Sequence, residues 1–266
     1  LLGAAQSIGL FRGKLPRIPL RVGPALKSTS ADPDVWIFAG CVMDAWSRPT
    51  HRSLARLITA TGATYAVSDG GCCGALHHHA GYADDARQQA RRIMESMPGA
   101  APILVDSAGC GAAMKDYGHL LGSTDAFAFS SRVLDAHEWL ADRLDTIEPE
   151  QPIERRSVIV QEPCHLRHVQ KSHVAMRKVV EAVADIVDTE DDGLCCGAGG
   201  AYALVEPRMA ADVRSRKVTE ITRVDAGRGL TVVSANPGCA QHLGAARISV
   251  VHPLDLVAET ILGRNP

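Results

Sequence analysis

Short apolar runs alternate with longer amphipathic stretches along most of this chain. Val35 to Ala39, within Asp34 to Gly40, has no polar position, the pattern of a strand buried on both faces. A helix is predicted over 47–61, where Leu54, Leu57 and Ile58 recur at helical spacing. A strand at Thr64 to Val67 follows, then a charged helix over 81–97 with Ala86, Ala90, Ile93 and Met94 on one face, then a third strand at Pro102 to Val105. Helical segments around 112–121 and 131–144 close this half. The second half repeats the order: strand Ser157 to Gln161, helix 168–183, strand Ala184 to Asp188, helix 205–222, strand Leu230 to Ser234 and helix 252–263.

Strands alternating with helices call for parallel sheets covered on both faces. The predicted fold class is α/β, with two similar lobes from an internal duplication, each a small parallel sheet with helices on both faces. Residues 34–150 form the first lobe in this reading and 151–266 the second, with 1–33 a linker or tail. That opening segment holds Pro16, Pro19, Pro24 and Pro33, a Ser28-Thr29-Ser30 cluster, and Arg12, Lys14, Arg17 and Arg21. It reads as a connector draped on the domain, with one short helix at its start, and a basic docking arm is the second reading.

The duplication is clearest in the eight cysteines. Cys41, Cys72 and Cys73 recur 123 positions on as Cys164, Cys195 and Cys196, and Cys110 recurs 129 positions on as Cys239. An insertion of about six residues, placed in the Arg223 to Gly229 loop, accounts for the difference. All eight fall just beyond predicted strand ends, where ligands bind in parallel α/β sheets. Glycines crowd both frames: Gly40, Gly70, Gly71, Gly74, Gly109 and Gly111 in the first, Gly193, Gly197, Gly199, Gly200 and Gly238 in the second. They allow close backbone approach to a bound group.

Composition narrows what such frames do. With 266 residues, 46% of them hydrophobic, the chain can bury ample cores, so eight cysteines are not needed as disulfide staples. Reduced, metal-ligating thiols in a cytoplasmic setting are expected, with a peripheral place at the inner face of a membrane as the other location. A net charge of -2 and 4% aromatics argue against nucleic acid as a partner. No apolar run approaches the roughly 20 residues of a membrane span. The chain opens at Leu1 without a secretory pattern and reads as a fragment or processed piece. No Gly-x-Gly-x-x-Gly follows a strand, and no Ser/His/Asp arrangement stands out.

Each frame offers four thiolates, enough for a [4Fe-4S] cluster or a four-cysteine zinc site. Neighbouring side chains diverge in extended backbone, which suits two irons of one cluster better than one zinc ion. Zinc in one site, a vicinal dithiol exchanging disulfides, and buried free thiols are the alternatives. His77-His78-His79 follows the first cysteine pair, and His165 and His168 follow Cys164. His77 and His165 are secondary ligand candidates; hydrogen bonding to a ligand, or plain exposure, are the other readings. Arg167, His168 and Lys171 form a basic edge, suited to an anionic partner or to solvent. Met114, Lys115, Asp116 and Tyr117 open a helix after Cys110 and are expected to pack and cap it.

The Cys-Cys-Gly frame resembles the cysteine-rich (CCG) domain of heterodisulfide reductases and their relatives. Longer stretches resemble the glycolate oxidase iron-sulfur subunit family: Cys72 to His77, Cys110 to Gly118, Pro163 to Lys171, Cys195 to Gly200 and Ala235 to Cys239. The resemblance covers roughly residues 35–262 and implies one or two iron-sulfur clusters. Cys41, Cys72, Cys73 and Cys110 would ligate one, and Cys164, Cys195, Cys196 and Cys239 the other. It implies an electron-relaying subunit in a glycolate- or lactate-type oxidoreductase, with FAD on a partner dehydrogenase subunit, a ferredoxin-like domain or subunit nearby, and a quinone or membrane partner as acceptor. Two departures stand out. Ser107 and Asn236 occupy places where the family's Cys-x-x-Cys has a cysteine, and no ferredoxin-like cysteine run is present. A heterodisulfide or thiol-disulfide reductase subunit, and a zinc-braced docking module, are the rival functions.

Overall fold

The computed structural model describes residues 23–69 and 71–264. The basic residues of the opening segment and its expected first helix lie outside the described residues. Its later part is tied to the first lobe: the Thr29 N–H donates to the Tyr65 carbonyl, and the Val67 N–H to Ser28 Oγ at 3.0 Å.

The first lobe runs β1 (Val35–Ile37), α1 (Cys41–Trp46), α2 (Arg48–Ala60), β2 (Tyr65–Val67), α3 (Ala75–His79), α4 (Ala83–Ser96), β3 (Ile103–Val105), α5 (Ala108–Lys115), α6 (Tyr117–Leu121), α7 (Thr124–Ser131), β4 (Val133–Asp135) and α8 (Ala136–Ala141). The second runs β5 (Arg156–Val160), a π-helix (His165–Gln170), α9 (His173–Glu181), β6 (Ala184–Asp188), α10 (Tyr202–Val205), α11 (Pro207–Asp225), β7 (Thr231–Val233), α12 (Pro237–Gly244), β8 (Val250–Val251) and α13 (Pro253–Leu262). The sheets share one topology: all-parallel, in the orders β2-β1-β3-β4 and β6-β5-β7-β8. The α/β duplication read from the sequence is present as two like lobes.

Apolar strands explain the layering. Every residue of β3 is buried, as a parallel strand covered on both faces must be. On one face of each sheet the two lobes share a core. Leu54, Leu57 and Ile58 of α2 and Trp139 and Leu140 of α8 join Val179 and Val180 of α9 and Leu254, Val257 and Ile261 of α13. Helix α2 packs on α13 and α8 on α9, equivalent helices exchanged between lobes about a pseudo-twofold axis. The outer faces have separate cores, around Phe38, Ile93, Met114 and Phe129 in the first lobe and Ile159, Ile221 and Leu243 in the second.

Four local expectations are corrected. The single helix over 131–144 is instead the end of α7, strand β4 and α8. Three strand residues are too few to show a period, and Asp135 starts α8 with a capping box completed by Glu138. The helix over 112–121 begins earlier, at Ala108, and breaks at Asp116. The helix over 168–183 is a π-helix and α9, separated at Lys171, whose φ is 60°. The insertion lies mainly in helix: α11 has 19 residues where α4 has 14, so Arg223 to Asp225 are its last residues rather than loop.

Candidate metal centres

In each lobe the cysteines lie beyond the carboxyl ends of the strands. Cys41 opens α1, Cys72 and Cys73 lie between β2 and α3, and Cys110 is in the first turn of α5. Cys164 precedes the π-helix, Cys195 and Cys196 lie between β6 and α10, and Cys239 is in the first turn of α12. All eight are free thiols. Within each lobe they form one chain of contacts, Cys41 to Cys72 to Cys73 to Cys110, and Cys164 to Cys195 to Cys196 to Cys239. The Cys196 and Cys239 sulfurs are 2.9 Å apart. The structure therefore gathers the two predicted sets without mixing them.

Protonation alternates along each chain. Cys72 is held down to about 2, first by its contact with Cys41, then by Cys73 and the Gly74 N–H. Cys195 is held down to about 2 in the same way, by Cys164, Cys196 and the Gly197 N–H. Contact with these thiolates, and then burial, pushes Cys41 and Cys164 up. Cys110 and Cys239 are held down, first by Cys73 and Cys196 and then by Ser107 and Asn236, against burial. Such coupled thiols titrate as sets rather than singly.

Ser107 and Asn236, where the resemblance expects a further cysteine, thus act on the sulfur that follows them. The Asn236 amide donates to Cys239 Sγ at 3.4 Å, while its Oδ1 accepts from the Gly109 N–H of the other lobe at 3.2 Å. The Ala108 N–H also donates to the Ala235 carbonyl, so the loops carrying Cys110 and Cys239 meet at the pseudo-twofold axis. The glycine after each cysteine pair is required by geometry. Gly74 has φ 81°, and a Cβ there would lie 3.0 Å from the Ala86 carbonyl oxygen; Gly197 has φ 86°, and a Cβ would lie 2.5 Å from that of Ala210. Their N–H groups donate back to Cys72 Sγ and Cys195 Sγ at 3.4 and 3.3 Å.

The secondary candidates sit close by. His77 is a further influence holding Cys72 down, and its buried Nδ1 has no partner. His165 Nδ1 is 3.6 Å from Cys164 Sγ, and its ring stacks on His79 at 5.7 Å. His168 and Lys171 are exposed. Arg167 is engaged by Glu162 and Asp192 at 2.6 and 3.1 Å, so the basic edge is narrower than its sequence suggests. Of the residues expected to pack and cap, Met114 and Tyr117 are buried and Lys115 pairs with Glu138 at 2.7 Å. Tyr117 does more, donating its hydroxyl to the Cys73 carbonyl at 2.7 Å. Sequence reasoning missed that role, and it missed the buried Asp106, His51 and Lys217 behind the two frames; of these only Asp106, directly after the apolar Ile103-Leu104-Val105, carried a sequence signal.

The donors fit a multinuclear thiolate-bound group. Four thiols in series, with backbone N–H and side-chain donors aimed at sulfur, match the needs of an iron-sulfur cluster.

Fold and site together define a duplicated α/β protein that presents a four-thiol centre in each half. The cysteine-rich domain (CCG) family is matched twice, over residues 35–115 and 158–244, and the chain belongs to that family. It is 30% identical over 241 residues to a glycolate oxidase iron-sulfur subunit of Escherichia coli, covering 85% of this chain and 58% of the relative. It is 28% identical over 263 residues to a probable glycolate oxidase iron-sulfur subunit of Bacillus subtilis, covering 92% and 57%. One subunit of a fumarate reductase (CoM/CoB) of Methanothermobacter marburgensis is 28% identical over 234 residues, covering 84% and 45%. The chain thus spans about half the length of these relatives.

Proposed function

We propose that each lobe holds one iron-sulfur cluster of the [4Fe-4S] type and that the chain is the electron-transferring part of a multi-subunit 2-hydroxy-acid oxidoreductase, of glycolate or lactate type. The observation that carries this reading is the same four-thiol chain, at the same strand ends, in both halves of a chain resembling glycolate oxidase iron-sulfur subunits. Cys41, Cys72, Cys73 and Cys110 would bind one cluster, and Cys164, Cys195, Cys196 and Cys239 the other.

A bound cluster supplies one-electron storage and release. The chain's own residues supply the rest. Gly74 and Gly197 let the backbone close around each site, and their N–H groups, with Ser107 and Asn236, place hydrogen bonds on sulfur that stabilise added negative charge. The first turns of α5 and α12 favour thiolate at Cys110 and Cys239. In this reading FAD resides on a partner dehydrogenase subunit, a ferredoxin-like domain or subunit shares the relay, and quinone receives the electrons. Among the described residues no helix is long and apolar enough to cross a membrane. A cytoplasmic protein, or one held peripherally at the inner face of a membrane, suits that role. We place the division between lobes near residue 150.

One observation favours a second reading. Cys41 is the single exposed thiol of the eight and lies against the low-pKa Cys72, so thiol-disulfide or heterodisulfide reduction would occur in the first lobe. Iron and acid-labile sulfide assays on anaerobically purified protein, with visible absorbance and EPR, test the main reading. Both elements are expected at cluster stoichiometry; their joint absence, or zinc in their place, would overturn it. Turnover of a disulfide by the reduced protein would select the second reading.

A further inference from the structure

The helix that presents Cys110 is capped from the other lobe. Its own N-cap residue, Ser107, makes no side-chain hydrogen bond to the first turn of α5, although serine is among the preferred N-cap residues. The first two N–H groups of α5 are met by the second lobe instead: Ala108 N–H donates to the Ala235 carbonyl at 3.1 Å, and Gly109 N–H to Asn236 Oδ1 at 3.2 Å. The latter is the bond that an N-cap side chain makes to the second helical position. Cys110 is the next residue. Gln170, also of the second lobe, holds the same turn by donating to the Ala108 carbonyl at 2.9 Å, and a Cβ on Gly111 would lie 2.8 Å from its Nε2.

Asn236 directs its side chain across the seam and away from its own helix. It stands at the N-cap of α12 but makes no side-chain cap bond there, and Pro237 at the first helical position has no N–H to satisfy. A backbone N–H can donate only to the amide oxygen, so Gly109 fixes which way the amide faces. The amide nitrogen is thereby turned to Cys239 Sγ, 3.4 Å away. One planar group thus holds a sulfur of the second centre and the helix start of the first.

We propose that Asn236 couples the two centres: filling the second-lobe centre fixes Cys239, which fixes the cap on α5 and with it the place of Cys110, so that the centres fill cooperatively. Such coupling is reciprocal, and a filled first centre steadies Asn236 and Cys239 in turn. Asn236 is a positioning residue for both centres. The inference rests on the iron-sulfur reading proposed above.

The test is hydrogen exchange of the full chain carrying C72S/C73S, in which only the second centre can be filled, before and after reconstitution with iron and sulfide. Filling it should slow exchange over residues 108–115 of the first lobe by about fivefold or more. Adding Asn236→Ser keeps a hydroxyl for the sulfur but cannot reach Gly109, so the response should vanish with α5 in its fast state. Adding Asn236→Asp keeps the oxygen that caps α5 but has no donor for sulfur, so the response should vanish with α5 in its slow state. A merely structural role would change exchange by one factor before and after filling and leave the response intact. No slowing in C72S/C73S, or undiminished slowing with N236S, would overturn the proposal. If C72S/C73S fails to fold, the reciprocal chain C195S/C196S decides: filling its first centre should slow exchange over residues 237–244, and no change there would overturn the proposal. Uptake at both centres without any exchange response removes the coupling and leaves the iron-sulfur reading standing; no uptake of iron and sulfide by these chains or the wild type sinks that reading itself.

Discussion

The first lobe braces its cysteine pair with an aromatic side chain, the second with a lysine and a histidine. Tyr117 reaches across to the Cys73 carbonyl, and Phe129 stacks on its ring at 5.8 Å. The matching position after α12 is Ala246. There the work falls to Lys217, which ties α11 to the loop before Cys195, and to His242, whose Nε2 lies 3.1 Å from the Ala210 carbonyl. The entry helix differs as well: Cys41 starts an α-helix, whereas Cys164 leads into six residues of π-helix, whose Gln170 donates to the Ala108 carbonyl of the other lobe at 2.9 Å. Fold, thiol order and glycine cradle were kept through the duplication while the supports diverged. Differences between the centres should therefore be sought in the residues behind the thiols.

The largest effect expected from breaking this comparison comes from Asp191. Asp191→Ala leaves the Lys217 ammonium buried without its partner and should cost about 3–5 kcal/mol of stability, read from urea denaturation. The double variant D191A/K217M should recover much of that loss, because no buried charge remains. A double variant as unstable as the two single losses combined would show that the ion pair is not the cause. Next come the cradle glycines. Gly74→Ala and Gly197→Ala each force a left-handed residue, at about 1–3 kcal/mol. G197A should be the worse, since its Cβ meets backbone at 2.5 Å rather than 3.0 Å. Equal losses would mean that the two cradles are equally tight.

Much of this comparison was legible in the sequence. The offset of the cysteines exposed the duplication, and Leu54, Leu57 and Ile58 exposed the helix on which the lobes pack. What escaped was decided by tertiary contact. Gly109 and Gly111 read as loop, yet they lie inside α5, where small residues let the chain approach Asn236 and Gln170 of the other lobe. Strands β4 and β8 are too short to carry a periodic signal. Lys217 reads as an ordinary charged residue of an amphipathic helix; only the second lobe's loop, bringing Asp191 over it, makes it a buried one. Ser107 and Asn236 were recognisable as missing cysteines, and their role as donors to the following sulfur needed the helix starts at Ala108 and Pro237.

A smaller effect is expected from Tyr117→Phe, which keeps the ring stacked on Phe129 and removes only the hydroxyl. The buried Cys73 carbonyl loses its donor, at about 1 kcal/mol. The loss should appear as a lower denaturation midpoint with an unchanged slope. Ala246→Tyr in the second lobe should give no matching gain, because the Lys217 and His242 contacts already hold that loop. A gain there would show that the two supports are interchangeable.

The subtlest prediction concerns pH, at the seam where both lobes meet Asp106. His51 Nδ1 lies 2.7 Å from the Asp106 carboxylate, while His252, from the second lobe, donates Nε2–H to the Asp106 carbonyl at 2.9 Å and accepts the Leu254 N–H at Nδ1. Burial opposes charge on His51, but the Asp106 carboxylate outweighs it and the pKa is raised. Its stabilisation is therefore complete below the unfolded value of about 6.5 and fades as pH rises through the raised value. Burial lowers the pKa of His252, helped by His137 stacked on it at 5.8 Å and opposed by Asp255. Its stabilisation is complete above the unfolded value and is lost as pH falls through the depressed one. Thermal melts between about pH 5 and 9 should then show His51→Gln flattening the alkaline side and His252→Asn, which keeps a helix-capping side chain, flattening the acid side. Identical pH profiles for the two variants would mean that the seam responds as one unit, with no opposition between the lobes.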